Sequence, residues 1–343
     1  MKGSPYGIHR VLEPAGTLPQ AAWKISNDME ICDNEILIDV DILNIDAASF
    51  TQIKKAAAMD VEKIKQTMLD IVAKRGKHHN PVTGSGGMLV GRVSAIGAAL
   101  QDRDLKVGDR IATLVSLSLT PLVIDKIKAV HIERDQVEIE GRAVLFESGI
   151  YAKLPADMPD ALALAVLDVA GAPAQTARLV KPGDTVLIIG GGGKSGTLCM
   201  YEARKRAGVT GTIIGIGSSA KSCQRIRDLG WADHVLEVDA TNAVAVMDAV
   251  AAVTDGKLAD VTINCVNIPG TEMASVLATR DYGTVYFFSM ATSFTAAALG
   301  AEGVGKDVNM IIGNGYTHRH AEISLHLLRE SPQLRQLFET IYA

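Results

Sequence analysis

Apolar and polar positions follow two different periods along this chain. In the first half apolar residues recur at every second position, as in EILIDVDIL over 35–43, and the stretches 35–43, 88–96, 110–115 and 129–132 read as short strands. A Val-Gly-Asp-Arg turn at 107–110 punctuates them, and the set suits an antiparallel, partly open barrel. Over 51–77 the period changes. Ile64, Met68 and Ile71 return at helical spacing among alanines and lysines, which predicts a helical excursion whose lysines (54, 55, 63, 65) face water.

Beyond residue 155 the rhythm becomes strand, helix, strand. Thr185–Ile189, 212–216, 234–236, 260–265, 284–288 and Asn309–Ile312 are apolar strand candidates. Helical runs fall between them, for example 196–207, Ala243–Val253 and 273–278, and an amphipathic helix closes the chain at 333–342. Six such β–α units predict an α/β fold with a doubly wound parallel sheet. The chain divides accordingly into 1–154 and 155–343.

Composition narrows the field. The 343 residues are 48% hydrophobic and carry a net charge of −5, with Lys+Arg (34) below Asp+Glu (39), which argues against a nucleic-acid partner. No apolar stretch approaches the ~20 residues of a membrane helix, and MKGSPYGIHR lacks a signal-peptide core, so a cytoplasmic location is expected. Cys32, Cys199, Cys223 and Cys265 form no C-x-x-C pair and read as reduced thiols.

The sharpest motif is TVLIIGGGGKSG, where Gly191, Gly193 and Gly196 satisfy G-x-G-x-x-G between a strand and a helix. The first glycine permits the turn, the second admits a pyrophosphate, and the third lets helix and strand approach. The neighbouring Gly192, Lys194 and Ser195 complete the cradle, and the helix N-terminus offers amides to phosphate. A nucleoside-triphosphatase loop would need glycine at 188, where Ile188 stands; a glycine-rich turn with no ligand is the plain alternative. At the end of the next strand, where NAD enzymes place a carboxylate for the ribose, stands Gly217, followed by Ser218, Ser219 and Lys221. Two hydroxyls and an ammonium there suit a 2′-phosphate, so NADP is expected to serve at least as well as NAD; a solvated turn is the other reading.

The order of parts resembles the medium-chain dehydrogenase/reductase superfamily. NIDAASF (44–50), GSGGMLVGRVSAIG (84–97), VGDRIATL (107–114), KPGDTVLIIGGGGKSG (181–196) and DVTINCV (260–266) carry the likeness. It implies a GroES-like substrate and catalytic domain, a hinge near 154–176 and a Rossmann domain, with a homodimer built by extending the Rossmann sheet. It also implies Asn267 near the nicotinamide ribose and Ser289 and Met290 beside the carboxamide. The zinc branch of the superfamily has Cys and Gly-His-Glu where this chain has Asp46 and Gly84-Ser85-Gly86, so no metal is expected. His78, His79, His318, His320 and His326 are expected to be solvated or capping.

Within the superfamily, SPYGIHRVLEPAGTLPQAAWKI, EILIDVDILNIDAASFTQI and the helical excursion resemble a family of zinc-free amine dehydrogenases acting on a diamino acid. That likeness implies NAD(P)-dependent oxidation of 3,5-diaminohexanoate to 5-amino-3-oxohexanoate and ammonia. Such chemistry needs a base to take a proton from the substrate ammonium before hydride leaves. Asp168, set in the apolar run ALALAVLDVAGAPAQTA, is the first candidate, since apolar surroundings raise a carboxyl's pKa. Asp46, with Ser49 three residues on, and Glu147 follow. Each has a plainer role open to it, as a cap or a surface pair. A zinc-free quinone or enone reductase and a non-catalytic NADP-binding sensor or structural protein are the competing functions.

Overall fold

The structure is a computed structural model describing residues 1–289, 291–313 and 315–342. Met290, expected beside the carboxamide, lies outside them. The chain forms two compact units, Met1–Met158 and Pro159–Ala343.

In the first unit the strands are β1 (Val11–Glu13), β2 (Lys24–Ile25), β3 (Glu35–Ile45), β4 (Gly87–Ile96), β5 (Arg110–Thr113), β6 (Leu122–His131), β7 (Gln136–Phe146) and β8 (Tyr151–Lys153). Six of them form an antiparallel sheet in the order β6-β7-β3-β4-β5-β8. The strict alternation of β3 holds only to Val40. A bulge between Val40 and Ile42 moves the inward phase from Ile36, Ile38 and Val40 to Leu43 and Ile45, all of them buried. Asp41, left outside the ladder by the bulge, turns outward and accepts Arg110 at 2.5 Å. β6 begins seven residues before the predicted 129, and β7 and β8 went unpredicted. In β7 the triplet Glu140-Gly141-Arg142 interrupts the alternation, yet Val137, Ile139, Ala143 and Leu145 are all buried.

The helical excursion is two helices, α1 (Ala47–Ala56) and α2 (Val61–Arg75), broken where Ala58 and Met59 take positive φ. Asp60 caps α2 by accepting from the amides of Glu62 and Lys63. Ile64, Met68 and Ile71 face the barrel core with Phe50 and Ile53 of α1, as the helical spacing predicted.

In the second unit the elements run α3 (Asp160–Leu167), α4 (Gly171–Leu179), β9 (Thr185–Ile189), α5 (Lys194–Ala207), β10 (Thr212–Gly217), α6 (Ala220–Leu229) and β11 (His234–Glu237). They continue α7 (Ala243–Val253), β12 (Ala259–Asn264), α8 (Glu272–Leu277), β13 (Thr279–Phe287), α9 (Phe294–Val304), β14 (Asn309–Ile312), α10 (His320–Glu330) and α11 (Pro332–Ile341). All six strands are parallel, in the order β11-β10-β9-β12-β13-β14. β9 is apolar from Val186 onward because both its faces are covered. Val186 and Ile188 pack with Cys199, Met200 and Ala203 of α5, while Leu187 and Ile189 pack with Val246 and Val250 of α7. The strand order reverses beside β9, and the crevice at the carboxyl ends of β9 and β12 is where a sheet of this kind binds its ligand.

Candidate active site

The loop after β9 is built from backbone. Gly190 takes φ 83°, a left-handed conformation open to glycine, and the amides of Gly190 and Gly191 both donate to the Ile216 carbonyl. The tight turn therefore lies at Gly190, one residue before the Gly191 expected to make it. A Cβ on Gly191 would sit 3.2 Å from Ile226 and 3.3 Å from Met200, so that glycine serves close packing. A Cβ on Gly196 would fall 2.1 Å from the Gly190 carbonyl oxygen, so here α5 can approach the turn only because no side chain is present. With Gly193 at the N-cap of α5, the working spacing is G-x-x-G-x-x-G over 190–196. Four successive glycines hide that frame from a reading of the sequence.

Gly193 supplies no capping side chain, so the first-turn amides of α5, from Lys194, Ser195 and Gly196, are left for a ligand or water. A Cβ on Gly193 would meet only the Gly190 carbonyl oxygen, at 3.4 Å, which leaves the loop's outer face open. Open amides at a helix start, beside a crevice at the strand ends, fit a dinucleotide pyrophosphate.

At the end of β10, a Cβ on Gly217 would fall 2.8 Å from Ser222 Oγ and 2.9 Å from Cys223 Sγ. Ser218 and Lys221 are exposed, and Ser219 caps α6 by accepting from the Ser222 amide at 3.3 Å. Arg225, one helical turn beyond Lys221, escaped the sequence reading. Its Nη1 donates to the Gly192 carbonyl at 2.5 Å, which brings a second cation to the loop. Only its spacing of four from Lys221 hinted at a shared face.

Asn267 and Ser289 come together, the Ser289 hydroxyl donating to Asn267 Oδ1 at 3.3 Å. Behind them the buried Asn264 donates to Thr271 Oγ1 and Ser275 Oγ, both at 2.9 Å, and accepts from the Val266 amide at 3.0 Å. That bracing of the loop after β12 was also missed. A lone asparagine at a strand end carries no signal for it.

Asp168 overturns its expected environment. The apolar residues before it in α3, Leu162–Leu167, are all buried, while Asp168 at the C-cap is 43% exposed. Its Oδ2 holds Lys194 Nζ at 2.6 Å. The carboxylate is therefore neither buried nor free; it anchors the first residue of α5.

In the first unit, Asp46 and Ser49 meet the 83–86 loop. Asp46 Oδ2 accepts from the Gly86 amide at 3.0 Å, and the fully buried Ser49 Oγ lies 2.8 Å from Thr83 Oγ1 and 3.1 Å from Ser85 Oγ. Asn80 Nδ2 donates to the Ser49 carbonyl and to Gln52 Oε1, tying the loop to α1. The result is a carboxylate next to a chain of three hydroxyls. Thr83 and Ser85 had no separate signal in the sequence. Glu147 stands apart, accepting from Asn34 Nδ2 at 2.8 Å, while Asn34 also bonds both backbone groups of Gly3. It clasps the N-terminal segment rather than joining Asp46.

The loop leading to 83–86 carries titratable groups that are buried rather than solvated. Lys77 donates to the Pro19 carbonyl at 2.6 Å, and burial with Arg75 nearby pushes its pKa down to about 7. Burial likewise drives His78 down to about 4. His320 is buried too, and loss of hydration lowers its pKa.

Among the described residues one group gathers metal-type ligands: His9, Cys32 and Glu35, with ligand atoms within 4.8 Å. Arg10 engages both Glu35 oxygens at 2.7 Å, and the Ser4 amide donates to His9 Nδ1. The proton of neutral His9 then sits on Nε2, facing Glu35. Arg10 thus already occupies both oxygens of Glu35. Cys199 and Cys265 lie 3.9 Å apart as free thiols, and mutual proximity with burial raises the Cys265 thiol well above its ordinary value.

A unit with a six-stranded parallel sheet and this glycine turn, and a unit with a six-stranded antiparallel sheet, are the two parts of a medium-chain dehydrogenase/reductase fold. Solved structures agree on the fold. A mycobacterial protein complexed with NADPH aligns at TM-score 0.55 (17% identity, 93% of this chain and 85% of that one). A Pseudomonas syringae quinone oxidoreductase aligns at 0.52 (20% identity, 91% and 83%), and a 2-haloacrylate reductase at 0.55 (16% identity, 91% and 84%).

Sequence relatives are much nearer. Residues 9–155 match the L-erythro-3,5-diaminohexanoate dehydrogenase N-terminal domain. The L-erythro-3,5-diaminohexanoate dehydrogenase of Acetoanaerobium sticklandii is 61% identical over 343 residues, covering all of both chains. That of Fusobacterium nucleatum is 60% identical over 342 residues, 99% of each. This chain belongs to the L-erythro-3,5-diaminohexanoate dehydrogenase family.

Proposed function

We propose that this enzyme oxidatively deaminates 3,5-diaminohexanoate to 5-amino-3-oxohexanoate and ammonia, passing the hydride to NAD or NADP. The observation that carries the reading is identity of about 60% along the whole chain to two enzymes of that name, joined to an intact dinucleotide loop. The cofactor, when bound, accepts the hydride at its nicotinamide ring. Everything else falls to the protein.

The substrate enters as an ammonium, which has no lone pair to push hydride away, so a base must first remove a proton. We assign that step to Asp46, whose second function, accepting the Gly86 amide, holds its carboxylate in place. Ser49, Thr83 and Ser85 offer a relay of hydroxyls along which the proton leaves and a water is later oriented for addition to the iminium. Asp168 acts by positioning: it fixes Lys194 at the helix start where the pyrophosphate is bound. Asn267 and Ser289, already hydrogen-bonded, hold the nicotinamide ribose and carboxamide. Ser218, Ser219, Lys221 and the nearby Arg225 give the 2′-phosphate of NADP two hydroxyls and two cations.

A homodimer is the expected assembly. β14 is an edge strand whose Ile312 is 55% exposed, and α9 leaves Phe294, Leu299 and Val304 in solvent. No helix is long and apolar enough to cross a membrane among the described residues. Four unpaired cysteines favour the reducing cytoplasm.

The test is absorbance at the reduced-nicotinamide band with 3,5-diaminohexanoate and each cofactor in turn. Reduction of either cofactor with stoichiometric ammonia release is expected. A chain inert to the diamine but active on a quinone or enone would replace this reading with the reductase chemistry of its fold neighbours.

A further inference from the structure

A loop of four glycines is the costliest kind of backbone to order, because glycine has the most conformational freedom to lose. Two contacts pin the peptide unit joining Gly192 to Gly193. Its carbonyl accepts Arg225 Nη1 at 2.5 Å, and its N–H donates to the Gly190 carbonyl at 3.0 Å. The second contact is local to the turn; the first comes from another element and depends on where the guanidinium is held.

Tyr342, directly after α11, holds it. The Tyr342 hydroxyl accepts from the same Arg225 Nη1 at 3.4 Å, and Lys194 Nζ lies 6.0 Å from the centre of the Tyr342 ring. The ring is itself seated on Phe338 at 5.0 Å, and Phe338 is fully buried. Along the facing sides of α6 and α11 runs an open groove of about 580 Å³, lined in part by Lys221, Arg225, Gln336 and Ile341. Tyr342 reaches across at Arg225. One aromatic side chain at the end of the chain thus touches both cations that flank the glycine loop.

We propose that Tyr342 is a positioning residue for the dinucleotide, a C-terminal latch that keeps Arg225 on the Gly192 carbonyl and Lys194 at the start of α5. The latch rests on the cofactor reading above. Without it Arg225 loses its second partner, the 192–193 peptide is left to the local Gly193–Gly190 hydrogen bond, and more of the loop has to be ordered when the cofactor arrives. Cofactor affinity falls, while the hydride-transfer step, made by other residues, does not.

The experiment compares the full-length enzyme with Tyr342→Ala, Tyr342→Phe, Arg225→Ala and the Tyr342→Ala/Arg225→Ala double variant. Binding of NADH and NADPH is read by fluorescence titration, with kcat, KM and Tm alongside. Tyr342→Ala is expected to weaken cofactor binding and raise cofactor KM about tenfold, the size of one long hydrogen bond plus a cation–ring contact, with kcat within twofold. Tyr342→Phe keeps the ring over Lys194 and should lose about threefold. The double variant should fall no more than about threefold below Arg225→Ala alone, the share the ring contributes through Lys194, because the hydroxyl acts only through that guanidinium. Unaltered cofactor binding in Tyr342→Ala, or full additivity in the double variant, overturns the latch. A wild-type enzyme that binds neither cofactor overturns instead the cofactor reading on which it rests.

Discussion

The two units build their sites from different materials. In the second, the dinucleotide loop is made of backbone: a left-handed glycine, a helix start with no capping side chain, and a glycine whose missing Cβ lets α5 close in. In the first, the cluster proposed for acid–base work is made of side chains, Asp46 and three hydroxyls, drawn from the β3–α1 junction and a loop more than thirty residues further on. Backbone sites tolerate little change of shape and much change of chemistry around them. Side-chain sites do the reverse, and that contrast orders the consequences of substitution.

Gly196→Ala should be the most damaging single change. A methyl group 2.1 Å from a backbone oxygen cannot be accommodated by moving a side chain, and a loss of about 3 kcal/mol or more is expected in denaturant unfolding. Gly193→Ala, with its nearest atom at 3.4 Å, should stay near wild type in stability and lose cofactor affinity instead. Equal stability of the two variants would remove the packing account of Gly196.

Asp46→Asn keeps the shape of the first unit's cluster and removes its charge, so kcat should fall at least about a hundredfold with cofactor binding unchanged. Asp168→Asn should do the opposite, raising cofactor KM about fivefold through Lys194 while kcat stays within a few-fold. If steady-state kinetics show the pattern exchanged, the base is Asp168.

The first unit should also lose stability in acid. His78 in the folded protein has its pKa near 4, against an ordinary value of 6.5, because burial penalises the charged ring. Between those values the unfolded chain binds more protons, so the contribution is complete above pH 6.5 and is lost as pH falls toward 4, on the order of 3 kcal/mol in all. In His78→Leu that part of the acid slope should disappear from Tm measured across pH 4–7. An unchanged slope would place acid sensitivity elsewhere.

Smaller effects lie at the edges. Lys221→Ala should raise KM for NADP about fivefold and leave NAD nearly untouched, since only the 2′-phosphate differs between them. Glu147→Gln keeps an oxygen for Asn34 Nδ2 and should cost no more than about 1 kcal/mol, with turnover intact. A large loss of kcat there would return Glu147 to the active site.

Much of this was legible because it is local. The period-two and period-3.6 patterns located β3, β4, α2 and the parallel strands, since burial of one face or of both leaves its mark on consecutive residues. The glycine run was visible for the same reason, though its frame was off by one until φ at Gly190 singled out the turn. β7 stayed hidden, because Glu140-Gly141-Arg142 breaks its alternation while the register of its neighbours keeps the strand.

By itself the sequence determined the class of each half, the glycine turn between β9 and α5 and the family, all of which reside in short runs of residue types. Only the tertiary structure decided what the isolated charges do. Asp168 looked buried because its neighbours in the chain are apolar, yet a helix end turned it outward to Lys194. His78 looked solvated because its neighbours are polar, yet packing covered it together with Lys77. Arg225, Tyr342 and Asn264 gained their partners from elements distant in the chain. A side chain's solvation and hydrogen bonds are set by what folds against it, and linear neighbours carry little of that information.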